Sequence, residues 1–350
     1  MPAMLPNTLD ALLDRHYTAN TPGAVLLVAK GKEVVYSGSR GLANLQTGAA
    51  ITPDTTFRLA SVSKQFTAMC VHLLAQQGLL QLTERLALYF PELIHWREVQ
   101  LLHLLNHTSG LPDFEEHIPE NQQTQLTDED VLQITAQQKA LLFSPGTQYR
   151  YSNTAYVLLG LLAERVSGIS YADVLQEYIF NPLGMQHSIL YGVDASIPDR
   201  AMGYRQASNG GFIIADQNIG TATRGDGCLY TSALDYFRWW QALKNHPLFN
   251  ITNQPKTKYS SIDDSKGWKY SMGWFVSDIG NGKYEYCHSG DTSGFTNLVL
   301  RQPEHDTLVA CFSNIAQNHT FLHELLQELK GFPEFSPKSA LAYHLQELTR

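Results

Sequence analysis

This 350-residue chain lacks the features that are typical of membrane-spanning proteins and of nucleic-acid-binding proteins. Its longest apolar stretches, residues 24–29 and 157–163, are far too short to cross a bilayer. Its net charge is −8 and its lysines and arginines form no cluster, so we expect neither a membrane span nor a nucleic-acid partner. With 43% apolar and 17% charged residues, the composition is that of an ordinary globular protein.

Cysteine is scarce as well. The four cysteines lie in apolar surroundings without paired spacing: Cys70, Cys228, Cys287 and Cys311. This pattern favours buried free thiols, with disulfides as the alternative. The first 17 residues lack the basic start and continuous apolar core of a signal peptide. The sequence therefore favours a cytoplasmic location, with a periplasmic or secreted one as the alternative if a leader has been removed.

Several common site signatures are also missing. The chain contains no G-x-S-x-G motif, which argues against the nucleophile elbow of an α/β-hydrolase, and no glycine-rich phosphate loop of useful form. His103 and His107 have the i, i+4 spacing of a helical metal pair, but no acidic third ligand follows and His107 belongs to a turn. We therefore expect no metal site.

β-type patterns occur near both ends of the chain, with helical patterns between them. A hairpin is predicted at residues 24–37, helical patterns dominate from about 62 to 192, and another helix is predicted over 232–245. Four β-type segments then precede a last helix at 319–330: residues 270–276, 283–288, 296–301 and 307–312. Such a chain builds one sheet from distant segments and inserts a helical lobe, and the cleft between the lobes is the natural ligand site.

The first candidate motif is Ser61-Val62-Ser63-Lys64, at the start of a helix predicted to reach about residue 77. The positive end of the helix dipole points at Ser61, and Lys64 can lie on the same side of the helix. A partly buried lysine has a lowered pKa and can take or relay a proton. Ser61 is therefore a candidate nucleophile activated by Lys64; the alternative is a serine near a helix start with a solvated lysine.

Two further motifs follow in the chain. Tyr151-Ser152-Asn153 lies between a turn and a helix, where a phenol can shuttle protons and an amide can bind the substrate carbonyl or Lys64. The alternative is that Asn153 caps the helix and Tyr151 is a packed aromatic residue.

His288-Ser289-Gly290 ends a β-type segment, and Gly290 allows close approach of a ligand. The N–H groups of Asp291 and Ser61 could form an oxyanion hole; the alternative is a strand end with a surface histidine.

Together these motifs resemble the serine β-lactamase and penicillin-binding-protein-like superfamily, in its class C and D-alanyl carboxypeptidase branch. The resemblance spans about residues 10–330 and includes several supporting segments: residues 57–64, 104–112, 144–147, 225–230 and 288–295. It implies an α+β fold with an antiparallel sheet flanked by helices and an inserted all-helical lobe.

The resemblance also implies a domain plan. We predict one catalytic domain over residues 1–330, with an α/β lobe at about 1–60 and 232–330 and a helical lobe at about 61–231. Residues 331–350 form a C-terminal extension without an assigned role.

By the same resemblance, Ser61 is the acylated nucleophile, Lys64 its partner and Tyr151 the general acid/base. Asn153 positions the substrate, and His288 stands where many members have the lysine of a K-T-G triad. The predicted substrate-binding residues are Asn153, His288, Gly290 and Asp291. The family works by acylation of serine followed by attack of water, without a metal or an organic cofactor. Because the base in S-x-x-K enzymes is disputed, Lys64 and Tyr151 are treated as a coupled pair.

The predicted function is a serine hydrolase that cleaves an ester or amide bond, including peptides or β-lactams, in a small-molecule or peptide substrate. The alternative is a non-catalytic penicillin-binding or sensory protein, or a filament-forming structural member of the same fold.

Two departures from the family pattern concern substrate charge. Histidine in place of lysine at position 288 removes a permanent positive charge, and Asp291 adds a negative one. A lost charged hydrogen bond is worth roughly 1.5–3 kcal/mol. We therefore expect neutral esters or amides to be cleaved better than classical β-lactams, which carry a carboxylate.

Overall fold

The computed structural model describes residues 4–192, 196–245 and 260–349. Its strands, in chain order, are β1 Ala24–Lys30, β2 Glu33–Arg40, β3 Leu42–Asn44, β4 Ala49–Ala50, β5 Phe57–Arg58, β6 Ile189–Leu190, β7 Tyr204–Gln206, β8 Phe212–Ile214, β9 Leu229–Thr231, β10 Ser260–Asp263, β11 Trp268–Ser271, β12 Trp274–Asp278, β13 Tyr284–Thr292, β14 Phe295–Gln302 and β15 Thr307–Ser313.

The α-helices are α1 Leu5–His16, α2 Lys64–Gln76, α3 Leu86–Tyr89, α4 Leu101–Leu105, α5 Asp128–Gln137, α6 Asn153–Ser167, α7 Tyr171–Leu175, α8 Asn181–Leu183, α9 Ala233–Asn245, α10 His319–Leu329 and α11 Leu345–Leu348. Short 3₁₀ turns occur at Ala60–Ser63, Pro91–Trp96, Phe114–His117 and Leu341–Tyr343. Among the described residues, no helix has the length and apolar character that a membrane span requires.

One eight-stranded antiparallel sheet organises the molecule, in the order β10-β11-β12-β13-β14-β15-β1-β2. The N-terminal hairpin joins the C-terminal strands where β1 pairs with β15, with Ala24 opposite Ser313 and Lys30 opposite Thr307. The prediction of a sheet assembled from distant segments is therefore confirmed, as is the antiparallel α+β fold. Residues 24–29 are fully buried, so both faces of β1 are covered. Helix α9 packs against β1 and β15, while α1 packs against β2 and α10.

The prediction of a single strand over residues 270–276 is wrong. The chain reverses at Met272-Gly273 and forms β11 and β12, because both residues have positive φ angles, 52° and 78°, as a tight hairpin turn requires. A Cβ atom on Gly273 would lie 2.5 Å from the Gln65 nitrogen. The hairpin tip therefore packs directly on the first turn of α2, which brings the sheet beside the Ser61 motif.

The region between the two strand groups is mainly helical, although it also holds the four short strands β6 to β9. Its centre is α2 packed against α6, and residues 64–74 of α2 are all buried. A helix that is buried on all sides belongs to a core rather than a surface. The lobe boundaries at residues 60/61 and 231/232 stay a prediction.

The four cysteines are buried and free, as predicted. The segment after α10 packs against the sheet: Phe335, Leu341 and Leu345 are buried. The extension is therefore a folded part of the molecule over the described residues 331–349.

Candidate active site

Ser61 lies in the 3₁₀ turn Ala60–Ser63, between β5 and α2. The helix predicted from residue 62 begins instead at Lys64, because the first turn has 3₁₀ geometry. Ala60 has a φ of 49°, a conformation that costs a non-glycine residue about 1–3 kcal/mol. A Cβ atom on Gly290 would lie 2.1 Å from the Leu59 oxygen, so β13 packs backbone to backbone against this turn. The sheet therefore supports the strained turn that presents Ser61.

The Lys64 ammonium group donates three hydrogen bonds that fix its position. Its acceptors are Ser61 Oγ at 3.0 Å, Asn153 Oδ1 at 2.8 Å and the Asp226 carbonyl oxygen at 2.9 Å. The residue is fully buried. Two of these partners come from segments far away in the sequence, so the fold brings Lys64 and Asn153 onto Ser61.

Burial lowers the pKa of Lys64 from 10.5 to about 8, although the negative charges of Asp226, Glu115 and Asp113 oppose this shift. Desolvation disfavours the charged form of an amine. A substantial fraction of Lys64 is therefore neutral at mildly alkaline pH, where its lone pair can accept the Ser61 proton.

The Tyr151 ring lies beside the same ammonium group, with Lys64 Nζ 4.9 Å from the ring centroid. Its other neighbours are aromatic: Phe275 stacks at 6.2 Å and His107 lies 4.3 Å away, measured between ring centroids. Burial raises the pKa of Tyr151 well above 10, and the Ser61 hydroxyl opposes this shift. The Tyr151 hydroxyl nevertheless has no partner of good hydrogen-bond geometry among the described residues. Tyr151 is thus a neutral phenol with a proton to donate, and Lys64 is the easier base.

Asn153 connects Lys64 to an acidic group of residues. Its Nδ2 donates to Glu115 Oε1 at 3.2 Å, and its backbone N–H donates to Asp113 Oδ2 at 2.5 Å. The alternative in which Asn153 caps the following helix is wrong, because the Ser152 hydroxyl accepts the Ala155 N–H and is the N-cap of α6.

Glu115 is one of the two carboxylates that line the cleft in front of Ser61. Partial burial, followed by the carboxylates of Asp113 and Asp226, raises the pKa of Glu115 to about 7. Glu115 can therefore exchange a proton near neutral pH.

His288 lies behind Tyr151 and does not line the cleft. It is fully buried, its Nε2 contacts the Tyr270 hydroxyl at 3.2 Å, and its Nδ1 lies 2.6 Å from the Ser289 carbonyl oxygen. Burial lowers the pKa of His288 to about 3, and the Lys64 charge acts in the same direction. The alternative of a surface histidine at this strand end is therefore wrong, and the position carries no positive charge.

The cleft in front of Ser61 has a volume of about 370 Å³. Its described lining residues are Ser61, Glu115, Tyr151, Asn153, Ser289, Asp291, Thr292, Ser293, Phe295, Gln317, His319, Gln346 and Thr349. None of these is a lysine or an arginine, whereas two are carboxylates. Asp291 Oδ1 lies 3.5 Å from His319 Nε2. Of the predicted substrate-binding residues, Asn153 and Asp291 line the cleft, and Gly290 packs against the turn that holds Ser61.

Sequence reasoning missed His107 as a partner of Tyr151. Its Nδ1 accepts the Ser152 N–H at 3.2 Å, so it supports the backbone next to Tyr151. The Nδ1 atom of His103 accepts a different N–H group, that of Gln100. In the described part of the chain, no group of three or more His, Cys, Asp or Glu residues could hold a metal ion. The sequence signal for His107 is its place in segment 104–112, one of the segments that carry the family resemblance.

Comparison with known proteins identifies the family. The family model described as Beta-lactamase matches residues 9–329. The protein belongs to the β-lactamase family. This match covers the sheet, the helical region and the Ser61 cleft up to α10, whereas residues 330–349 lie beyond it.

Individual relatives of this β-lactamase family member agree with the assignment. Penicillin-binding protein 4* of Bacillus subtilis is 27% identical over 340 residues, which cover 92% of this chain and 74% of that protein. A penicillin-binding protein from Bacillus halodurans has a TM-score of 0.78 at 25% identity, over 92% of this chain and 98% of that one. Other curated relatives are longer, and the chain spans less than two thirds of their length.

A D-amino acid amidase from Ochrobactrum anthropi SV3, solved with L-phenylalanine amide, has a TM-score of 0.76 at 25% identity. The alignment covers 93% of this chain and 98% of that one. Family membership and these neighbours support a serine hydrolase of the β-lactamase and penicillin-binding-protein fold.

Proposed function

We propose that this protein cleaves an ester or amide bond through an acyl intermediate on Ser61. The observation that carries the proposal is the 3.0 Å hydrogen bond from the buried Lys64 amine to Ser61 Oγ. A serine hydroxyl becomes a competent nucleophile when an adjacent base removes its proton. A lysine with a pKa of about 8 meets this need in its neutral form, which predominates at mildly alkaline pH.

The reaction begins when neutral Lys64 takes the proton of Ser61 Oγ and the oxygen attacks the substrate carbonyl carbon. The N–H groups of Ser61 and Asp291 are proposed to stabilise the oxyanion that forms. When this intermediate collapses, the bond to the leaving group breaks and the leaving group takes a proton from the Tyr151 phenol. The proton held by Lys64 then replaces the one that Tyr151 has lost.

Water completes the reaction by repeating the same steps on the acyl-enzyme. Its proton passes to the Lys64 and Tyr151 pair, the oxygen attacks the ester carbonyl, and Ser61 Oγ leaves with a proton. The products are a carboxylic acid and the free serine.

The charge of the cleft supports substrates without a carboxylate. Glu115 and Asp291 line it, none of its described lining residues is a lysine or an arginine, and the buried His288 is neutral at physiological pH. A substrate carboxylate would be repelled there, whereas a neutral or amine-bearing substrate would not.

The test compares three substrate classes on one preparation: short p-nitrophenyl esters, nitrocefin and a D-Ala-D-Ala peptide. We expect kcat/KM to be highest for the esters, and the activity to disappear in Ser61→Ala but not in Ser37→Ala, which alters an exposed serine on β2. A clear preference for either carboxylate substrate would overturn the substrate assignment. Covalent labelling of Ser61 without turnover would instead favour a non-catalytic binding protein.

A further inference from the structure

A second groove lies beside the Ser61 cleft, between α10 and the C-terminal segment. It has a volume of about 540 Å³ and is lined by Ser289, Leu298, His319, Thr320, Leu322, His323, Glu324, Leu326, Ala342, Tyr343, Leu345 and Gln346. Ser289, His319 and Gln346 line the cleft as well. The two spaces therefore adjoin at these three residues.

The groove differs from the cleft in chemistry. Its interior is formed by apolar side chains from three elements: Leu298 of β14, Leu322 and Leu326 of α10, and Ala342 and Leu345 of the C-terminal segment. The described cleft residues are mostly polar, with Phe295 and Tyr151 as their aromatic members. Two adjoining spaces, one polar and reactive and the other apolar, are suited to a ligand in which a reactive polar group is joined to an apolar group.

The wall made by residues 341–346 is firmly held. It follows Lys338 and Ser339, whose backbone N–H groups donate to the fully buried Glu285 carboxylate at 2.7 and 3.2 Å. The Ser339 hydroxyl donates to the same carboxylate at 2.8 Å. Hydrogen bonds to a charged group are stronger than neutral ones, so this anchor preforms the groove.

A second anchor fixes the wall to the opposite side of the groove. The Tyr343 hydroxyl donates to the Leu326 carbonyl oxygen at 3.1 Å, which joins the segment to α10. The wall lies outside the part of the chain that the family model matches, residues 9–329.

We propose that this groove binds an apolar group attached to the scissile ester or amide bond, such as a linear alkyl chain or an aromatic ring. This rests on the proposed function, because the occupant is a substrate of Ser61. The observation that supports it is that the groove adjoins the cleft at Ser289, His319 and Gln346. The C-terminal segment is then a specificity-determining wall of the site.

The test uses two ester series that lengthen either side of the scissile bond. One is p-nitrophenyl acetate, butyrate and hexanoate; the other is methyl, butyl and hexyl acetate. In the series whose growing chain enters the groove, kcat/KM should rise by about fourfold for each buried methylene. The series that responds also shows which side of the substrate the groove holds.

Two substitutions fill the groove from opposite walls. Thr320→Trp acts from α10 and Ala342→Phe from the C-terminal segment, and each should reduce the ratio of kcat/KM for the six-carbon ester over the shortest ester at least tenfold. Their matched controls are Gln327→Trp and Ala340→Phe, which alter exposed positions on the same two elements outside the groove. These controls should keep the ratio.

The inference is overturned if neither series depends on chain length, or if the filling and control variants change the ratio equally. A binding measurement separates this outcome from failure of the proposed function. Hexanamide and N-hexylacetamide carry the alkyl chain on opposite sides of the amide bond. At least one of them should bind the Ser61→Ala protein in calorimetry more tightly than acetamide, and Thr320→Trp should abolish the difference. If both bind no more tightly than acetamide, the groove assignment is contradicted even if Ser61 hydrolyses esters.

Discussion

Two buried charged side chains, Lys64 and Glu285, have different tasks. Lys64 is held by three acceptors, one of which is the reacting Ser61 hydroxyl. Among the described residues, Glu285 accepts from groups of the C-terminal segment and of β14, including Gln302 Nε2 at 2.9 Å. One charge lies in the polar centre that the family shares, and the other supports an apolar wall outside the family match.

The comparison shows that the residues proposed to catalyse the reaction and those proposed to select the substrate lie in different parts of the molecule. Ser61, Lys64 and Tyr151 are positioned by the sheet, α2 and α6. The wall is held instead by Glu285 and α10, and the segment that continues from it meets the cleft at Gln346 and Thr349. Substitutions in the two regions should therefore affect different kinetic quantities.

Replacing Lys64 is the strongest way to test the polar centre. Lys64→Met should lower kcat/KM for every ester by about 10²–10⁴-fold, because the base that deprotonates Ser61 is gone. The effect should not depend on chain length. Lys32→Met, which changes an exposed lysine, serves as the control in the same assay. A loss below tenfold would show that another group is the base.

The pH dependence of the rate tests the same centre without a substitution. Because the folded-state pKa of Lys64 is lowered to about 8, the amine is protonated and inactive below that pH. The value of kcat/KM should therefore rise about tenfold per pH unit up to a plateau above an apparent pKa near 8, which belongs to the coupled Lys64 and Tyr151 pair. A rate that is flat from pH 5 to 9 would contradict this role.

Glu285→Gln tests the wall. The amide presents an N–H₂ group to at least one of the N–H donors that the carboxylate accepts, so the free energy of unfolding should fall by about 1–3 kcal/mol. The ratio of kcat/KM for the six-carbon ester to kcat/KM for the shortest ester should also fall, while the pH dependence of kcat/KM stays unchanged. Denaturant titration and ester kinetics measure both effects, with the exposed Glu304→Gln as control. A changed pH profile would contradict the proposal that the wall affects chain-length selectivity without affecting the polar centre.

Asp291→Asn should have the smallest effect, at the border of the two regions. Removing one negative charge near a substrate carboxylate relieves about 1 kcal/mol of repulsion, or roughly fivefold in kcat/KM. The gain should appear with nitrocefin and not with p-nitrophenyl acetate. An equal change for both substrates would point to an effect on the oxyanion site instead.

The sequence predicted what local spacing determines. Ser61 and Lys64 lie within one helical turn, so their proximity follows from geometry alone. A sheet assembled from distant segments followed from strand patterns at both ends of the chain, whereas the pairing of β1 with β15 is known from the structure. Asn153 was predicted to contact either the substrate or Lys64, and the structure shows the contact with Lys64.

The remaining features depend on contacts between distant segments. The side chains of Asp113 and Glu115 reach the site only because the loop after α4 packs against α6, and no periodicity marks them. His288 was expected to bind substrate, but the aromatic rings around it bury it behind Tyr151. The wall could not be predicted, because its anchor Glu285 lies on β13 while the residues it holds follow α10.

The most direct test of the account is to trap the covalent intermediate. The protein is mixed briefly with p-nitrophenyl acetate, quenched in acid and analysed by intact-mass and peptide mass spectrometry. The account predicts one acetyl group, attached to Ser61 and absent from Ser61→Ala. An acetyl group on another residue, or turnover with no modified serine, would contradict it.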